Sequence, residues 1–224
     1  MAAMEVQWVA RHLSPGERLG EILFGLLMTL TFTLGAGVLF GGGEEGAAAD
    51  MLLGIVGCNV AWGIIDAAML ILGRVFDRGR AVRLGNAIRQ TDSDDGAIAA
   101  VAAEFDETLA AITSPAVRAT LYRDVLTRVR EREPERTGVR ADDWIAAFAV
   151  FWLVVFASLP AALPFLVIED YWIALRVSNV LLIGLSFLVG YHWAGYTSID
   201  RWRAGIVLTI LGIALVAVAI PLGG

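Results

Sequence analysis

Asp66 has the strongest claim to chemistry in this sequence. It lies in an apolar run from Met51 to Phe76 whose one other charge is Arg74. An ionisable side chain at such a depth costs about 2.5–3.5 kcal/mol on insertion scales and normally faces a bundle interior or a watery path. Asn59, Gly63, Asp66, Leu70 and Gly73 recur at spacings of three or four, so polar and small residues share one helical face. Ile55, Val56, Ile64 and Leu72 lie largely elsewhere. That face suits a transport path, and it equally suits hydrogen-bonded glue between helices. The residues leave both readings open.

Depth arithmetic looks for partners at about 1.5 Å of rise per residue. Asp66 precedes Arg74 by eight residues, roughly 12 Å. Met28 lies nine residues into a first span counted from Leu19, roughly 13 Å. A carboxylate and a thioether at one depth would suit a borderline divalent metal such as iron better than calcium, whereas Met28 alone reads as packing. Glu21 is either an entry carboxylate for the same path or an acid stabilising a helix start. Glu104 and Glu107, with Asp106 between them, form either a metal-binding carboxylate cluster or an acidic solvated face.

Other chemistries lack residues. The chain has one cysteine, Cys58, and two histidines, His12 and His192, which removes disulfide scaffolds and multi-histidine zinc cages. No E-x-x-H, P-loop, G-x-S-x-G or catalytic Cys/His arrangement occurs, so no catalytic residue, enzyme activity or resident cofactor is expected. All 17 basic residues are arginine against 23 acidic ones, for a net charge of -6, which gives nucleic-acid binding little support.

The elements that must position these residues are membrane spans. Of 224 residues, 58% are hydrophobic and 18% charged, with a mean hydropathy of +0.69. Five segments are long enough to cross a bilayer core: Leu19 to Phe40, Met51 to Phe76, Trp144 to Ile168, Tyr171 to Trp193, and Ala204 to Leu222. The first is too long for a signal-peptide core and is retained as a span. Arginines fall in the leader (Arg11, Arg18), between Arg74 and Arg140, and at Arg201 and Arg203. The remaining loops hold only carboxylates such as Glu44, Glu45, Glu169 and Asp170, so the N-terminus is expected in the cytoplasm and the C-terminus on the far side. The bacterial inner membrane is the expected location. Trp144, Trp193 and Trp202 would mark the inner boundary, with Tyr171 and Trp172 at the outer. Arg176 reads as snorkelling outward towards Glu169 or Asp170, and His192 as part of the interfacial belt. Pro160 and Pro164 predict a kink or break in the third span.

Between spans two and three lie about 65 residues read as three cytoplasmic helices. The first continues from span two to Gln90 and is broken by Asp92 to Gly96. The second carries a stripe of Ile98, Val101, Phe105, Leu109 and Ile112. The third is capped by Ser114 with Pro115 in its first turn, carries Val117, Leu121, Val125 and Val129, and ends in the charged run from Arg130 to Arg136. The expected fold is thus an all-α integral membrane protein with five transmembrane helices and a three-helix cytoplasmic insertion between helices two and three. Its parts are 1–76 (tail and spans one and two), 77–141 (cytoplasmic helices) and 142–224 (spans three to five).

This arrangement resembles the vacuolar iron transporter family of iron and manganese transporters. Phe24-Gly25 followed by a Thr-rich run to Gly35, Ala36 and Gly37 is similar to that family's first span. Asn59, Asp66, Met69 and Gly73 are similar to its second, and Ser158 to Phe165 to its double-proline third. The Gly223-Gly224 ending also matches. The resemblance implies a homodimer that exchanges Fe2+ or Mn2+ for protons and exports metal from the cytoplasm. It also implies a divergent member. Leu27, Met28 and Thr29 stand where the family has Asn-Asp-Gly with a metal-binding Asp, and Arg74 and Val75 where it has Glu-Tyr. The expected transport path is Asp66, Asn59, Met28 and Glu21, with Asp66, Met28, Glu104 and Glu107 as metal ligands. The alternative is a non-transporting membrane scaffold or regulator that keeps the fold and binds a partner through its cytoplasmic helices.

Overall fold

The computed structural model describes residues 12–39, 46–91, 93–132 and 137–219. Arg11, Phe40, the loop carboxylates Glu44 and Glu45, Asp92, the run from Glu133 to Arg136, Leu222 and the Gly223-Gly224 ending lie outside them. Seven α-helices are described, with no strand among the described residues: α1 (Pro15–Leu39), α2 (Ala47–Gln90), α3 (Asp94–Ala110), α4 (Pro115–Glu131), α5 (Ala141–Val167), α6 (Tyr171–Trp193) and α7 (Arg201–Ala219). Four of them, α1, α2, α5 and α6, are long and apolar enough to cross a membrane. The secondary structure of the described residues is therefore all helical, with four helices of the length and composition that membrane insertion requires.

Contacts divide the chain into two units. One comprises residues 1–70 and 141–224, the other residues 71–140, so α2 contributes to both.

In the first unit, helix starts are written in short polar signals. Ser14 and Glu17 form a reciprocal capping box, Ser14 N donating to Glu17 Oε2 at 2.6 Å and Glu17 N to Ser14 Oγ at 3.2 Å. Asp170 accepts from Ile173 N at the start of α6, and Asp200 from Arg203 N at the start of α7. One core cluster joins Ala36, Met51, Ile55, Ala162, Phe165 and Ala174. A second joins Leu26, Leu30, Ala157, Ala161 and Leu182. Glycines set the closest approaches. A Cβ on Gly190 would stand 2.8 Å from the Ala204 carbonyl, and one on Gly25 2.8 Å from the Ala157 Cβ, so α6 meets α7, and α1 meets α5, at backbone distance.

Of the kink or break expected near the outer end of the third span, a break does not occur. α5 runs unbroken through Pro160 and Pro164. Its buried face, from Ala146 to Phe165, packs throughout its length, and tertiary packing outweighs the hydrogen bonds the prolines remove.

In the second unit, Ile88, Ala97, Val101, Tyr122 and Leu126 make a small core between the end of α2 and the α3 and α4 helices. Ser93 caps α3. Ser114 caps α4, with Pro115 in its first turn, as the spacing predicts. The predicted stripes are buried only in part. Val101 is buried, while Phe105, Ile112, Val117 and Leu121 are exposed, and Tyr122 and Leu126 take the inward positions instead.

Candidate functional site

Helices α1 and α2 run antiparallel along a seam that can be read rung by rung. Met51 shares a core cluster with Ala36, and a Cβ on Gly54 would run into the tip of the Phe32 ring. Asn59 bonds Thr29, and Trp62 meets Phe24 edge-to-face with ring centroids 5.6 Å apart. Continued one turn further, the register brings Asp66 to Glu21, and the two carboxylates lie within electrostatic range of one another. Both side chains are half-buried.

This register corrects the depth arithmetic. Met28 stands beside Thr29 at the level of Asn59, seven residues and roughly 10 Å of helix away from the rung of Glu21 and Asp66. The cause is the start of α1. The Ser14–Glu17 box begins the helix at Pro15, so counting depth from Leu19 displaced Met28 towards Asp66. The same box bears on the helix-start reading of Glu21. With Pro15 as the first residue Glu21 is the seventh, past the first turn in which an acid stabilises the helix dipole.

Seven residues from Asp66 on the same face of α2, Asn59 is wholly buried. Its Nδ2 donates to Thr29 Oγ1 at 2.7 Å and to the Ile55 carbonyl at 3.1 Å. Thr29 in turn donates to the Gly25 carbonyl at 2.8 Å. Both amide hydrogens are therefore committed. Turning the amide over would set its oxygen against the Ile55 carbonyl, acceptor facing acceptor, so the network fixes the orientation. Asn59 Oδ1 is left buried without a partner, as is Asp66 Oδ2. An unmet buried acceptor costs about 1–3 kcal/mol, which a donor or a cation would remove.

The other candidates are drawn into structural work. Glu104 pairs with Arg80 at 2.6 Å. Asp106 pairs with Arg118 at 2.7 Å and accepts from the Tyr122 hydroxyl at 2.9 Å, while Glu107 is exposed. At about 100° per residue Glu104 and Asp106 leave α3 in different directions, which is why one meets α2 and the other α4. Burial pushes the Tyr122 hydroxyl above its ordinary value, reinforced by the hydrogen bond it donates to Asp106 and by that carboxylate's charge, with Arg118 opposing. Among the described residues no three His, Cys, Asp or Glu side chains gather closely enough to hold a metal ion. Arg176 is exposed, and Asp170, one of its two expected counter-charges, caps α6. His192 is exposed beside Tyr191, whose ring also meets Trp202 and lies 5.8 Å from the Arg201 guanidinium carbon.

No protein-family model and no curated protein matches this chain. The functional reading therefore rests on its own residues.

Two of those residues were missed from the sequence as site candidates. Thr29 and Thr33 are wholly buried polar side chains on α1, and Thr33 Oγ1 lies 2.7 Å from Asn179 Oδ1 on α6 and 3.0 Å from the Leu30 carbonyl. The available signal was spacing, because Glu21, Gly25, Thr29 and Thr33 repeat every four residues along one face.

Proposed function

We propose that the chain is a membrane transporter for a divalent metal ion, iron or manganese, and a divergent member of the vacuolar iron transporter family. It exports metal from the cytoplasm in exchange for protons. The observation that carries this reading is that Glu21 and Asp66, half-buried on two apolar helices, fall at the same level of the α1–α2 register, within electrostatic range of one another. Two carboxylates near each other in a low-dielectric bundle repel, and a cation or a proton between them relieves the repulsion. Either occupant is one the exchange requires. Carboxylate oxygens suit Mn2+ and Fe2+, and a site with only two carboxylates binds loosely enough to let its cargo leave.

The accompanying architecture is five spans, with α7 as the fifth. Its apolar residues 204–219 give roughly 24 Å of helix, most of a bilayer core. The arginine pattern supports a cytoplasmic N-terminus, with Glu21 and Asp66 towards that side, and makes residues 77–141 the cytoplasmic insertion. A homodimer is supported by α2, whose apolar stretch is 17% buried against 39–50% for those of α1, α5 and α6, with Ile64, Ile65, Met69 and Leu72 exposed.

The test is purified protein in vesicles carrying a pH gradient and an internal Mn2+-sensitive dye. Wild-type protein is expected to move Mn2+, and Asp66→Asn and Glu21→Gln each to reduce the rate at least tenfold. Unchanged flux in both variants would remove the carboxylate pair from the mechanism. The scaffold reading draws on one observation of its own, the exposed Phe105, Ile112, Val117 and Leu121 on α3, α4 and the turn between them. It becomes the better reading where the wild-type protein moves no Mn2+ and Mn2+ leaves its thermal stability unchanged.

A further inference from the structure

The turn between α3 and α4 carries no charge. From Thr108 to Val117, ten residues pass between Glu107 and Arg118 without an ionisable side chain. A surface turn is ordinarily polar, yet here Ala110, Ala111, Ile112, Pro115, Ala116 and Val117 are all exposed, Ile112 by 76% and Val117 by 55%.

Helix register within the second unit fixes the level of this turn. α3 runs antiparallel to the end of α2, with Ala97 in one core with Ile88, and Glu104 bonded to Arg80 at 2.6 Å. Eight residues beyond each member of that ion pair, roughly 12 Å, stand Ile112 and Leu72. α4 returns with Arg118 paired to Asp106, which leaves Val117 close to the level of Phe76. Leu72 and Phe76 are themselves 62% and 66% exposed, and they close the apolar run from Met51 to Phe76 with which α2 can cross a membrane. The turn is thus level with the end of an apolar span.

Lipid makes one further demand, that polar groups find partners within the protein. Ile112 N and Thr113 N both donate to the Leu109 carbonyl, as does the Thr113 hydroxyl at 2.6 Å. Arg118 Nη1 donates to the Thr113 carbonyl at 2.9 Å, Ser114 Oγ accepts from Val117 N, and Pro115 brings no N–H. We infer that the α3–α4 turn is a membrane anchor. Ile112 and Val117 sink into the boundary between headgroups and acyl chains, beside the point where α2 leaves the bilayer, and hold the second unit against the lipid surface. Lipid is the occupant because the exposed apolar side chains of the turn and of α2 share one level, and a bilayer boundary imposes one level on both. The inference rests on α2 crossing a membrane and is independent of what the protein moves.

Fluorescence quenching in the full chain tests the anchor. In a Cys58→Ala background, Ile112→Cys and Val117→Cys are labelled with bimane and reconstituted in vesicles of phosphatidylcholine and phosphatidylglycerol. Leu72→Cys is the lipid reference, and Thr127→Cys, exposed near the far end of α4, is the aqueous one. Phosphatidylcholine spin-labelled high on its acyl chain is expected to quench the labels at Ile112 and Val117 about as strongly as that at Leu72, and about threefold more than that at Thr127. Iodide on both sides of the membrane is expected to give the opposite ranking. Adding Ile112→Asp should open the label at Val117 to iodide by about threefold. Turn labels as open to iodide as Thr127, with Leu72 shielded, overturn the anchor and leave the span standing. Turn labels shielded from both quenchers put a protein, such as a second copy of the chain, on the turn and overturn the anchor equally. A label at Leu72 open to iodide overturns the span and the anchor together.

Discussion

The Asn59 amide donates to the Thr29 hydroxyl at 2.7 Å, both side chains wholly buried, and this bond joins α1 to α2 at the middle of their seam. A buried polar bond surrounded by apolar neighbours is directional in a way that packing is not. Sliding α1 by one residue against α2 would strand an amide hydrogen and a hydroxyl acceptor at once. The bond therefore ties the register of the helices to the meeting of Glu21 with Asp66.

That coupling is measurable. Thr29→Val keeps the shape of the side chain but leaves an amide hydrogen without its acceptor, and it should cost about 1–3 kcal/mol. Asn59→Leu removes the amide altogether and should cost less than that, because it also removes the orphaned Oδ1. The double variant should lose less than the sum, with a coupling of about 0.5–2 kcal/mol. Reversible unfolding in detergent micelles gives all three values, and strict additivity would mean the bond does not hold the seam.

The carboxylate pair makes an opposite-signed prediction about stability. Without metal, Glu21→Gln or Asp66→Asn removes one of two like charges and should raise the unfolding midpoint. With Mn2+, the ranking should invert. Wild-type protein gains about 2.7 kcal/mol at a hundredfold excess over Kd, and the variants gain little. Midpoints measured with Mn2+ and with a chelator separate this from a general loss of packing, which would lower both.

How much of this was legible beforehand depends on the kind of signal. The apolar runs that became α1, α2, α5 and α6 announce themselves, because a span must satisfy its own backbone and so needs some twenty apolar residues together. Ser114 and Pro115 mark the start of α4 by local chemistry alone. The opposition of Glu21 and Asp66 was lost because register is a relation between two helices, and a depth ruler is only as good as its zero. The zero was in fact written in Ser14 and Glu17. The orphaned Asn59 oxygen was beyond any such reading, since it follows from where both amide hydrogens go.

Tyr122 supplies a pH dependence outside the spans. Its hydroxyl is held above the ordinary value of 10.0, first by burial and then by Asp106. The folded state thus binds this proton more tightly than the unfolded chain. The resulting stability is fully present below about pH 10 and is lost as pH rises through the folded value. Unfolding of the protein between pH 8 and pH 11 should show a decline that Tyr122→Phe reduces. An identical decline in the variant would assign it to other groups.

The two glycines Gly190 and Gly184 lie on α6 and predict opposite outcomes for the same substitution. A Cβ on Gly190 would meet the Ala204 carbonyl at 2.8 Å and the Gly205 Cα at 3.0 Å, atoms of the α7 backbone that cannot rotate away. Gly190→Ala must push the helices apart and should cost about 1–3 kcal/mol. A Cβ on Gly184 has nothing within 4 Å, so Gly184→Ala should instead stabilise by about 0.5–1 kcal/mol through helix propensity. Because the cluster of Phe187, Tyr191 and Trp202 bridges the same two helices, the Gly190 variant should also change tryptophan emission before global unfolding. Equal midpoints for the two variants would mean that α6 and α7 do not pack at backbone distance.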